Sequence, residues 1–94
     1  MKGDVLQFLA DPENRKVFDV VARSRSIRLA ALLESLGVKT EDAAKLNEVR
    51  ARLDGLKQNG LVAEEAASLK EFAVLYITAD GLEAERKVRR LALK

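Results

Sequence analysis

The chain has 94 residues, 48% of them hydrophobic and 34% charged, with a net charge of +2. That is room for one packed domain, residues 1–94, and too apolar a composition for a disordered tail. Cysteine and histidine are both absent, which excludes disulfides, thiolate zinc sites and imidazole acid–base chemistry, and agrees with a reducing cytoplasm.

Val5, Leu6, Phe8 and Leu9 form a short apolar group, readable as one or two helical turns. Asp11-Pro12-Glu13 is a strong helix start, with a capping carboxylate, a proline suited to the first helical position and an acid at the positive end of the dipole. The helix it opens runs to about Arg23, with Val17, Phe18, Val20 and Val21 as its buried stripe. After the polar break Ser24-Arg25-Ser26, with Ser26 as a candidate cap, a second helix is expected from Ile27 to Leu36. It carries Leu29, Leu32, Leu33 and Leu36 inward and is closed by Gly37. A third helix is expected over residues 41–58, capped by Thr40 and ended by Asn59-Gly60, with Leu46, Val49, Leu53 and Leu56 on one side.

The period then changes. Leu61-Val62-Ala63 reads as a short strand, Glu64 to Lys70 as a turn, and Glu71 to Thr78 as a second strand. In that second strand Ala73, Leu75 and Ile77 alternate with Phe72, Val74 and Tyr76, so both sides are apolar. A last helix, Gly81 to Leu93, is expected behind a cap at Thr78 or Asp80, with Leu82, Ala84, Val88 and Leu91 inward. The fold class is therefore mainly α with a small β-hairpin (α+β), in the order helix-helix-helix-strand-strand-helix.

That order fits a winged helix-turn-helix, in which the helix over 41–58 can enter the major groove of double-stranded DNA beside the hairpin. Lys45, Asn47, Arg50 and Arg52 lie off its buried side and are residue types that reach base edges or phosphates. Arg23, Arg25 and Arg28 surround the start of the preceding helix, where they could neutralise phosphates. Solubility alone also selects cations on helix surfaces, and Glu48/Arg52 and Lys45/Glu48 fit ordinary surface pairs.

Four segments resemble winged-helix regulators of the arsenic-repressor (ArsR) type, with some likeness to the MarR type. Leu6-Gln7-Phe8-Leu9-Ala10-Asp11-Pro12-Glu13-Asn14-Arg15 is similar to the opening "L-x-x-L-x-D-P-x-R", with one residue extra between Pro12 and Arg15. Leu29 to Val38 is similar to the positioning helix, and Leu53 to Val62 to the "L-x-x-L-x-x-x-G-L-V" exit into the wing. Tyr76-Ile77-Thr78-Ala79-Asp80-Gly81-Leu82 resembles "Y-x-L-T-x-x-G". The resemblance implies a cytoplasmic homodimer on operator DNA, with Leu6, Leu9, Val88 and Leu91 in the dimer contact.

The chain departs from that pattern in three ways. It lacks the thiolate metal-sensing motif. The stretch from Val38 to Asn59 is longer than usual, so residues 39–44 form either an extra helical turn or a displacement of the reading surface. The wing turn, Glu64 to Glu71, is acidic where DNA-touching wings offer Arg or Lys. The acidic turn, the near-neutral charge and the two-sided strand suit the main alternative, a winged helix used as a protein-interaction or dimerisation module, and leave a protein partner or a small ligand open.

No enzyme is expected, since there is no Gly-rich phosphate loop, nucleophile–base pair or metal constellation. No cofactor or membrane contact is expected either. Apolar runs such as Phe72 to Ile77 are too short to span a bilayer, and Asp4 and Gln7 interrupt any signal-peptide pattern.

Overall fold

The computed structural model of the chain describes residues 4–39, 41–65 and 73–92. Helix α1 is Asp4–Ala10 and α2 is Pro12–Ser24. The junction between them is the expected cap: Asp11 accepts from the backbone N–H groups of Glu13 (2.9 Å) and Asn14 (3.4 Å), with Pro12 opening the helix. Val17, Phe18, Val20, Val21 and Ala22 of α2 are buried and run through the centre of the core.

The second expected helix is corrected at its start. Ser26–Arg28 is a strand, β1, and α3 begins only at Leu29, running Leu29–Ser35. Ser26 therefore caps nothing. Arg28 holds the N-cap position with extended backbone and no side-chain cap bond. The physical reason lies in a partner distant in sequence. Strand β3, Val74–Ile77, offers its edge, and the Ile77 and Leu29 N–H groups donate to the Arg25 and Ala73 carbonyls at 2.9 Å each. β-Branched Ile27 suits that pairing.

The two-stranded hairpin is thereby extended to a three-stranded antiparallel sheet in the order β1-β3-β2, with β2 spanning Val62–Glu65. Ser26 and Ala63 flank Tyr76, while Arg28 and Glu65 flank Val74. In β3, Leu75 turns inward and is buried, with Ala73 buried just before the strand, while Val74 is half-buried and Tyr76 exposed. Phe72 and most of the acidic wing turn, residues 66–71, lie outside the described residues.

Helix α4 is Ala43–Gln58. Thr40, the expected cap, lies outside the described residues; Asp42 occupies the N-cap position and accepts from the Lys45 N–H at 3.2 Å. The described part of residues 39–42 is non-helical, so the extra length before Ala43 adds connection rather than a helical turn. Both helices of the pair α3 and α4 end alike. Gly37 (φ +71°) and Gly60 (φ +73°) take the left-handed conformation. The next N–H, from Val38 or Leu61, donates back five residues, to Leu33 at 2.9 Å or Leu56 at 3.0 Å. This arrangement satisfies carbonyls the helix would otherwise leave open.

Helix α5, Ala79–Ala92, closes the fold against α1, α2 and β3. Before it, Thr78 donates its hydroxyl to the Gly60 carbonyl and accepts from the Gly81 N–H at 3.0 Å, tying α5 to the end of α4. Phe18, Leu32, Leu56, Leu61 and Leu75, from five different segments, are the largest fully buried side chains.

Candidate nucleic-acid interface

Helix α4 is fixed from behind and open in front. Val49, Leu53 and Leu56 are buried and Leu46 half-buried, packed toward α2 and β2. At 3.6 residues per turn, Ala44, Asn47, Ala51, Asp54 and Gln58 form the opposite row, and all five are exposed. This outer row could have been read from the spacing, as the complement of Leu46, Val49, Leu53 and Leu56. It carries no cation.

The four α4 residues expected to reach DNA divide between two flanks. Asn47 and Arg50, three residues apart and about 60° around the helix, stand on the outer side and one flank, with Asn47 exposed and Arg50 half-buried. Lys45 and Arg52, seven apart, stack on the other flank, where both border a groove against Glu13, Lys16 and Val17 of α2. Arg52 Nη1 donates to Asn14 Oδ1 at 2.8 Å and stands 3.8 Å from Asp11 Oδ1. Asn14 Nδ2 in turn donates to the Phe8 carbonyl at 3.0 Å. Arg52 is thus engaged inside its own subunit, tying α4 to the α1–α2 corner. Sequence reasoning missed Asn14 as its partner because the two lie 38 positions apart.

At the far end of α4, Lys57 Nζ donates to Glu64 Oε1 of β2 at 2.8 Å and lies 3.5 Å from Asp54 Oδ1. The hydrogen bond to Glu64, opposed by partial burial and aided by the charges of Glu64 and Asp54, raises the ammonium pKa above its usual 10.5. One described acid of the wing is therefore already paired with a cation of the helix beside it.

The three arginines around the second helix separate as well. Arg28 is exposed at the head of α3. Arg23 is exposed, and its Nε donates to the Asp19 carbonyl at 3.4 Å. Arg25 takes a positive φ (+67°), rare for a residue with a side chain. Its Nη1 stands 3.6 Å from Oε1 of Glu85, whose side chain is only 11% exposed. Arg25 is turned toward α5 rather than α4.

Of the four residues expected at a dimer contact, Leu9 and Val88 are buried in the core of their own protomer. Leu6 is 36% exposed on α1. Leu91 belongs to α5, with its side chain outside the described part of the structure. Among the described residues no cluster of side chains could hold a metal ion, and no helix is long and apolar enough to cross a membrane.

No protein-family model matches the sequence, and no curated protein matches it. Solved structures do match in shape. A transcriptional regulator homologue from Pyrococcus horikoshii OT3 superposes with a TM-score of 0.72, over 96% of this chain and 88% of that one, at 18% identity. A MarR-family transcriptional regulator from Silicibacter pomeroyi superposes with a TM-score of 0.66 over 93% of this chain, at 15% identity. This chain spans about half, 55%, of the Silicibacter protein. At such identities the likeness carries the fold and not the function. With α3 and α4 as the paired helices, β2 and β3 as the wing and β1 completing the sheet, the chain has the winged helix-turn-helix fold of these two regulators.

Proposed function

We propose that the chain is a DNA-binding transcriptional regulator that reads the major groove with the outer side of α4. The observation that carries this reading is the wholly exposed row on a helix whose opposite side is locked into the core. A rod held in this way can enter a groove about 12 Å wide without distorting. Asn47 and Arg50 are the base-reading residues, by the amide and guanidinium geometries that suit adenine and guanine edges. Ala44 and Ala51 keep the surface beside Asn47 shallow, so the helix backbone can approach closely. Lys45 and Arg28 serve phosphates, and Arg52 holds the helix in place. The functional unit is a homodimer, whose two α4 helices would address half-sites one helical turn apart.

Genomic selection of bound duplexes, followed by fluorescence anisotropy on the selected site, tests this. Arg50→Ala and Asn47→Ala should each cost about 1–3 kcal/mol of specific binding, and wild-type affinity should fall as salt is added. Equal, undetectable binding by wild type and variants at low salt would defeat the reading. One observation favours a second reading, an interaction module for another protein: the outer row of α4 includes Asp54 and no cation. A selection that recovers no consensus duplex would turn the argument to that reading.

A further inference from the structure

We infer that the cleft between α2, the end of α3 and α5 binds a small phosphorylated anion. The cleft measures about 370 Å³, within the range of small-molecule sites. Its charged lining is Arg15, Lys16 and Arg23 from α2 and Arg89 from α5, against the carboxylates of Asp19 and Glu85. Those two carboxylates do not balance the four cations. Asp19 pairs with Arg15 at 3.3 Å, and Glu85 is divided between Arg89 at 3.9 Å and Arg25 at 3.6 Å. Arg23 donates to a backbone carbonyl, and Lys16 has no ion-pair partner among the described residues. An excess of two positive charges thus faces one concave space.

The remaining surface narrows the ligand class. Phe18, Val20 and Val88 form the floor, and none is more than 7% exposed. Leu36 adds carbon at one side, so the cleft offers about as much apolar as polar surface, and the polar share, the charged rim and the Ser35 hydroxyl, is what would meet an anion. Guanidinium groups present parallel N–H pairs that match phosphate oxygens. Cations on two helices can meet such a group from two sides at once. Because Ser35 and Leu36 close the cleft where α3 ends, an anion held there would brace α3 against α5.

The test uses the chain alone, so it stands whether or not the DNA reading does. Pyrophosphate is titrated into isotopically labelled protein at ionic strength held constant with sodium chloride, and amide shifts are followed. The expected result is saturable binding, with shifts confined to residues 15–23, 35–36 and 85–89. The double variant Arg23→Gln, Arg89→Gln should weaken binding by at least about tenfold. Arg90→Gln, which removes from α5 outside the cleft the same single charge that Arg89→Gln removes within it, should leave binding within about twofold. All of these positions are exposed, and a thermal melt of each variant verifies the fold. Non-saturating shifts, or equal losses in the double variant and Arg90→Gln, would overturn the inference. Displacement of pyrophosphate by a DNA duplex would overturn it too, by assigning the cleft to the nucleic-acid surface.

Discussion

A methyl group added at Gly81 would run into the carbonyl oxygen of Leu61 and stand 2.6 Å from Ile77 Cγ1. The first of these is backbone, fixed where α4 hands the chain to β2, and it cannot swing aside as a side chain can. Gly81→Ala is therefore expected to lower stability by about 1–3 kcal/mol, measured by urea unfolding. Gly55→Ala provides the contrast, because the atoms nearest the added carbon belong to the ring of Phe8, a side chain able to shift. Its cost should be smaller, and an equal cost at both sites would show that backbone crowding is not what matters at Gly81. The same distinction governs the arginines. Arg50 and Arg52 look interchangeable in sequence, yet one guanidinium is held by Asn14 and Asp11, and that difference comes from 160° or so of helix rotation.

At the scale of elements, α4 is fastened twice along its C-terminal half, by Arg52 to the α1–α2 corner and by Lys57 to β2. The Lys57 contact has a pH signature. The folded-state pKa is raised above 10.5, so the stability it contributes is fully present below that value and is lost as pH rises through the folded pKa. The stability gap between wild type and Lys57→Gln is expected to stay constant from about pH 7 to pH 9.5 and to shrink above pH 10.5. A gap that already closes below pH 9.5 would mean that the Glu64 bond is not its source. Asp11-Pro12, Leu33 to Val38 and Leu56 to Leu61 show how much was readable at this scale. Caps and helix ends depend on residues within five positions of one another, and they fold as their local pattern dictates. Strand β1 was not readable, because three residues become a strand only when β3 is present beside them.

For the molecule as a whole, the described surface offers Leu6 and Tyr76 as its large exposed hydrophobic residues, while along α5 Ala84 and Val88 are buried and Leu82 half-buried. Core and interface roles at α1 can be separated by two substitutions. Leu9→Ala should cost about 2–5 kcal/mol of stability by opening a cavity. Leu6→Glu should change stability by no more than about 0.5 kcal/mol, as for an exposed site, while lowering the sedimenting mass of a dimer paired through α1. An unchanged mass would remove α1 from the contact.

The amino-acid order alone established the succession of the longer helices, the Asp11 cap, the glycine ends at Gly37 and Gly60, and the rows Val17–Val21 and Leu46–Leu56 that face inward, because each follows from the local backbone pattern. It also nominated α4 as the helix to watch. Folding settled which cations remain available: Arg52 to Asn14, Arg25 to Glu85 and Lys57 to Glu64 are pairings between elements. Charge in a sequence records how many cations a chain has. Their availability depends on which acids and amides the packed core brings within three or four ångströms, and no local pattern encodes that.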